Sequence, residues 1–150
     1  MSYLDLKNSI QLATSGIFTL SGTTPAKGNI VDRAGFGNVT YTLITGTVTD
    51  AGTADGFSTE IQHSDTTADA DFTAVASSDL IGLESALKVT LDTADNVPIG
   101  SIGYKGLKRY VRAVTTGTTG SNAVIAGQWI KSAPDLQAVT PVIAPNVAAT

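Results

Sequence analysis

The 150-residue sequence contains no cysteine, which excludes a disulfide framework, a thiolate metal site and a cysteine nucleophile together. It has one histidine, His63. A multi-histidine metal centre cannot be built, and any Ser-His-Asp triad would have to use that residue. Charge is also scarce: Asp, Glu, Lys and Arg make up 15% of the chain, against about 25% in an average globular protein. With 13 acidic and 9 basic residues the net charge is −4, a poor basis for non-specific nucleic-acid binding, which needs a basic surface. No stretch approaches the roughly 20 apolar residues of a membrane span. The first residues, Met1 to Leu20, carry Asp5 and Lys7 and no apolar core of the secretory kind. These absences predict a protein synthesised in a cytoplasm, with no cofactor, no small-molecule substrate and no membrane or nucleic-acid partner.

Threonine, alanine and glycine fill the gap, and their pattern has period two. Val39, Tyr41, Leu43 and Thr45 alternate with Thr40, Thr42, Ile44 and Gly46, as a strand of β-branched and aromatic residues does. Phe57, Thr59, Ile61 and His63 alternate with Ser58, Glu60 and Gln62, and Leu87, Val89 and Leu91 with Lys88, Thr90 and Asp92. Further strands are predicted at Gly16–Leu20, Asn29–Asp32, Asp71–Val75, Gly100–Tyr104, Lys108–Thr115 and Asn122–Lys131. Turn clusters such as Asp50-Ala-Gly52, Asp55-Gly56 and Asp95-Asn-Val-Pro98 separate them. Short strands at this spacing predict an all-β fold, a sandwich or jelly roll. Its core is expected to include Val39, Tyr41, Leu43, Phe57, Ile61, Phe72, Val89, Val111 and Ile125. Only Ser2–Ala13 and Ser77–Ala86 could form a short helical turn.

The ends differ in composition. Pro134, Pro141 and Pro145 exclude a helix beyond Ala133 and favour an extended segment. The organisation expected is an N-terminal arm over residues 1–15, a β-sandwich over 16–132 and an extended C-terminal arm over 133–150. Val139, Val142, Ile143 and Val147 make the C-terminal arm apolar, and exposed apolar segments seek a partner surface.

No motif carries catalysis. His63, Ser64 and Asp65 hold the three side-chain types of a hydrolytic triad, but consecutive strand residues point to opposite faces. Asp50, Asp55, Asp65, Asp69 and Asp71 match no EF-hand spacing and read as turn residues. Gly100-Ser-Ile-Gly-Tyr-Lys-Gly106 lacks the spacing of a phosphate-binding loop. Trp129 reads as a core residue or an interface anchor. The basic run Tyr104-Lys-Gly-Leu-Lys-Arg-Tyr-Val-Arg112 remains. As a strand it would put Lys108, Tyr110 and Arg112 on one face and Arg109, Val111 and Ala113 on the other, with either face outward. The candidate partner-binding residues are therefore Lys108, Tyr110 and Arg112, joined by Val139, Pro141, Val142, Ile143 and Pro145 of the C-terminal arm.

Several segments together resemble a known family. They are Val31-Asp-Arg-Ala-Gly-Phe-Gly-Asn-Val-Thr-Tyr41, Thr45-Gly-Thr-Val-Thr-Asp50, Ile61-Gln-His-Ser-Asp65, Phe72-Thr-Ala-Val75 and Ile102-Gly-Tyr-Lys-Gly-Leu-Lys-Arg-Tyr-Val-Arg112. The sequence resembles, over about residues 30–131, the capsid cement (decoration) proteins of jelly-roll type found on short-tailed bacteriophages. The resemblance implies a non-enzymatic virion protein, made in the host bacterial cytoplasm, that sits on the outer capsid surface. It further implies homodimers that bridge neighbouring major capsid protein subunits, and it carries no catalytic or metal residue. The competing expectation is a tail, fibre or adhesin module that binds a host-surface glycan.

Overall fold

Two antiparallel sheets face each other across one apolar core in a computed structural model that describes residues 6–134. The strands, in chain order, are β1 (Ile10–Ser21), β2 (Ala26–Lys27), β3 (Val31–Asp32), β4 (Phe36–Asp50), β5 (Ser58–Ser64) and β6 (Thr73–Ala74), followed by β7 (Leu80–Ile81), β8 (Pro98–Tyr104), β9 (Tyr110–Thr116) and β10 (Asn122–Pro134). The first sheet runs β1-β10-β4-β8-β7 and the second β2-β9-β5-β6, with β3 also pairing β9. The protein is an all-β sandwich, as its alternating pattern dictates. All nine residues expected in the core are buried.

The long strands set the frame. β10 lies between β1 and β4, with Trp129 opposite Ala13 on one side and Tyr41 on the other. Inward residues Val39, Tyr41, Leu43, Ile102, Tyr104, Ile125 and Trp129 meet Phe57, Ile61, Val111 and Ala113 of the opposite sheet. Two inward threonines of the second sheet, Thr59 and Thr115, satisfy each other through a 2.7 Å hydroxyl pair. Buried hydroxyls are tolerated when paired in this way.

The structure corrects several expected boundaries. β1 begins at Ile10, not Gly16, so residues 10–15 of the stretch read as an N-terminal arm belong to a sheet strand paired with β10. At the other end β10 continues to Pro134, which pairs with Phe36. A proline at the last position of a strand removes no ladder bond that the sheet needs. The expected strands at Asn29–Asp32 and Asp71–Val75 shrink to two-residue pairings. The helical turns are one turn at Leu6–Ser9 and 3₁₀ turns at Asp69–Asp71, Ser77–Asp79 and Glu84–Leu87.

The expected strand Leu87–Leu91 is absent. Leu87 and Val89 are buried as their alternation required, but Leu91 is exposed, and only the single bridge Phe57–Val89 forms. Carboxylates pin this crossing segment where a ladder would otherwise do so. Glu84 accepts the Ile61 N–H at 2.7 Å, Asp92 the Ala51 N–H at 2.8 Å and Asp95 the Val48 N–H at 2.6 Å. Thr45 adds a 2.6 Å bond from its hydroxyl to the Ala94 carbonyl. Near the register shifts of β4, the N–H groups of Thr45, Val48 and Ala51 and the Gly46 carbonyl thus find partners in the segment that crosses its end.

Candidate partner-binding surface

The basic run crosses from one sheet to the other: Tyr104 ends β8, Tyr110 begins β9, and Lys105–Arg109 connect them. The connection folds back over the Tyr104 ring. A Cβ at Gly106 would lie 2.6 Å from the Tyr104 hydroxyl, so only glycine admits this approach. The Lys108 N–H then donates to the Tyr104 hydroxyl at 3.0 Å. On the outside, the Arg33 guanidinium lies 5.5 Å from the centre of the Tyr104 ring, and its Nε donates to the Lys108 carbonyl at 2.8 Å.

Most of the cations here are paired within the chain. Lys108 pairs with Asp65. Arg109 grips Asp32 through Nε and a second nitrogen at 2.8 Å, and also lies over the Tyr110 ring. Lys131 covers the Phe36 ring and donates to the Asp32 carbonyl. These partners hold the carboxyls of Asp32 and Asp65 below the usual carboxylate range: the Arg109 hydrogen bond leads for Asp32, the Lys108 hydrogen bond for Asp65. Exposed pairs of this kind contribute little stability each. Their effect is to fix the shape of the surface.

The structure places the three candidate residues of this segment differently. Lys108 and Tyr110 lie at the surface end of the run. Arg112 is enclosed within the chain, with its side chain only 6% exposed. It belongs to the outer face of the second sheet, but the 3₁₀ turn Asp69–Asp71 and Phe72 lie over that face. The guanidinium sits 4.2 Å from the Phe72 ring centre, donates to Gln62 Oε1 at 2.9 Å and pairs with Asp69. Asp69 also receives Lys27 at 2.8 Å, and the two cations, Lys27 first, hold its carboxyl low. Val111 and Ala113 face the core. The arm candidates Val139, Pro141, Val142, Ile143 and Pro145 lie outside the described residues.

Sequence reasoning missed Leu107, which stands 92% exposed at the crest of the connection. The signal was present: its neighbours two positions away are Lys105 and Arg109, so no alternation draws it inward. Lys105, Leu107 and Lys108 form a small apolar-and-basic crest. The five aspartates of the calcium reading are turn and pairing residues. Asp50 accepts the Gly52 N–H, Asp55 meets Lys88, and among the described residues no group of three or more His, Asp or Glu could hold a metal ion.

His63 closes the inner side of the crest. Its Nδ1 lies 2.9 Å from the Tyr104 hydroxyl, with the rings edge to face. That hydroxyl also accepts the Lys108 N–H. Burial leads in pushing the His63 pKa below its ordinary value, Lys108 adds to this, and Asp79 and Asp65 oppose it. The unfolded chain therefore binds a proton at higher pH than the folded one. The stabilisation from His63 is complete above about pH 6.5 and is lost as pH falls through the lowered folded value. Denaturation from pH 7 to 5 is expected to show the wild type losing more stability than His63→Gln, and equal slopes would refute the assignment.

No protein-family model matches the sequence, and no curated protein matches it. Among solved structures, a chain from Bacillus endospore appendages, described as "a novel family of disulfide-linked pili", is 14% identical with a TM-score of 0.40, covering 85% of this chain and 90% of that one.

Proposed function

We propose that the protein is a non-enzymatic structural component of a phage virion, a cement protein that binds the outside of a capsid shell and bridges major capsid protein subunits. The observation that carries the non-enzymatic part is the chemistry of residues 104–112. Lys108, Arg109 and Arg112 are engaged with the carboxylates beside them as scaffold, and the crest presents Leu107 as a contact. The capsid part is supported by the sequence resemblance across residues 30–131. A shell offers the same docking surface many times, so modest contacts per copy become firm through multivalency.

The test is cosedimentation of the full chain with empty capsid shells, beside a glycan array. Saturable binding to the shell exterior is expected. Retention on glycans without shell binding would replace this reading with the tail, fibre or adhesin one. Deleting residues 135–150 is expected to weaken shell binding while leaving the melting temperature nearly unchanged. Val139, Val142, Ile143 and Val147 could contribute about 1.5–3 kcal/mol each if buried on a partner, against about 1–2 kcal/mol per residue for ordering the segment.

A further inference from the structure

The outer face of the first sheet has no charge. Its five strands hold only two charged residues, Asp50 at the end of β4 and Lys131, which turns to Phe36 and Asp32. Among the described residues the ion pairs lie on the second sheet and its loops. The register defines what the outer face shows. One rung sets Leu12 opposite Ile130, Ile130 opposite Thr40, Thr40 opposite Gly103 and Gly103 opposite Ile81. Another sets Ile17 opposite Ala126 and Ala126 opposite Ile44, and between the two lies the polar rung Thr14, Gln128 and Thr42. Ile17 is 77% exposed, and Leu12, Ile44, Ile81 and Val124 are exposed as well. Sheets with one solvated face ordinarily turn charged and polar side chains to the water. This one turns out polar side chains such as Thr14, Thr19, Thr42 and Gln128 but no charged ones, and sets exposed isoleucines among them.

We infer that this face is the contact between two copies of the chain, packed sheet on sheet about a two-fold axis. Two arguments select a second copy. A chain of net charge −4 repels its own copy wherever its acidic loops meet, and a two-fold contact always sets a patch against itself. The uncharged face can meet itself without like-charge pairs. Its size also fits. Strands of about 12 residues rising about 3.3 Å each, in a sheet about 20 Å wide, give roughly 800 Å² per copy, the area of a standard stable interface. Two sheets of the same twist stack with aligned strands, as the two halves of a sandwich do. The inference rests on self-association and not on capsid binding, which shell cosedimentation tests separately.

The absence of cysteine makes the test clean, because one introduced thiol is the only thiol. The full chain is expected to have a dimer's mass in light scattering. Ile44→Lys, at the centre of the face, is expected to raise the dissociation constant by about 100-fold or more, since it would bury an unpaired charge. Its circular dichroism spectrum and cooperative unfolding should remain, because Ile44 points away from the core. Sheets in face-to-face contact lie about 10 Å apart, too far for a disulfide. A short bis-maleimide should therefore cross-link Thr42→Cys in the dimer, and leave Asp55→Cys on the opposite loops as monomer. A monomeric full chain, an Ile44→Lys dimer of unchanged affinity, or cross-linking at Asp55→Cys in place of Thr42→Cys would each overturn the inference. So would Ile17→Lys breaking a dimer that Ile44→Lys leaves intact, which would place the contact on the edge of β1.

Discussion

Trp129→Ala is expected to destabilise the fold by about 3–5 kcal/mol, the range for removing a large aromatic from a packed core. For a chain of this length that lowers the melting temperature by roughly 8–16 °C. Trp129 has no exposed surface, and its ring packs on Tyr41 with centroids 5.0 Å apart. The same packing desolvates the Tyr41 phenol and pushes its pKa up to about 12. Because β10 joins β1 to β4 at this rung, a cavity here loosens three strands at once. Trp129→Phe should cost much less than the volume change suggests. The Trp129 indole N–H meets no acceptor among the described residues, and an unpaired buried donor costs about 1–3 kcal/mol. Phenylalanine removes that donor. Chemical denaturation followed by circular dichroism checks both variants, and it is the required probe because Trp129 is the only tryptophan. Equal losses for Ala and Phe would mean that the site gains nothing from the filled volume.

Alternation in the sequence named the core well, because burial in a two-sheet sandwich is decided by side-chain parity alone. Val39, Tyr41, Leu43, Phe57, Ile61 and Val111 all lie where period two places them. Pairing is a different matter. β1 and β10 are neighbours although the whole chain separates them, and nothing local in Ile10–Thr14 announces a partner near residue 130. Residues 10–15, read as part of an arm, are therefore sheet. Arg112 illustrates a second limit. Parity left open which face of its strand it takes; it lies on the outer one, and that face is roofed by Phe72 and the turn at Asp69. Whether a connection lies over a sheet depends on tertiary packing, which alternation does not encode. Leu87–Leu91 shows a third limit. Its buried residues obey the pattern, yet its backbone forms only the bridge to Phe57 through Val89, and the residues that follow are tied to the β4 end by the Asp92 and Asp95 carboxylates. A sequence reports which side chains turn inward more readily than what their backbones bond.

The uncharged outer face was legible in part. Ile17 beside Phe18, Ile44 beside Leu43 and Ile130 beside Trp129 are apolar pairs in which parity admits only one inward member. The second member of each pair has to be explained by something outside the domain core. Scattered surface apolar residues need no such account, but these share rungs across three paired strands. That distinction, between scatter and a contiguous face, exists only once the register is known.

Gly56→Ala is expected to cost about 3–5 kcal/mol, although it adds a single methyl group. Gly56 follows Asp55 in the turn before β5 and has φ of +62°, a conformation that costs an L-residue about 1–2 kcal/mol. Its N–H closes the turn on the Thr53 carbonyl at 2.7 Å. The larger penalty is steric. A Cβ would stand 1.9 Å from the Val89 carbonyl oxygen and 2.8 Å from its carbon, both of them backbone, so no rotamer change relieves the contact. Val89 would have to retreat, and with it the two 2.9 Å hydrogen bonds it exchanges with Phe57. Each contributes about 1 kcal/mol net, and Phe57, fully buried, would be drawn out of register. Gly22→Ala separates the two effects. Gly22 has φ of +55°, but a Cβ there meets nothing within 4 Å, so only the backbone term of about 1–2 kcal/mol should appear. Equilibrium unfolding of both variants gives the difference directly. A Gly56→Ala loss no larger than that of Gly22→Ala would show that the Phe57–Val89 bridge yields freely, and that the segment crossing the end of the sandwich is held by its other bonds to β4 and β5.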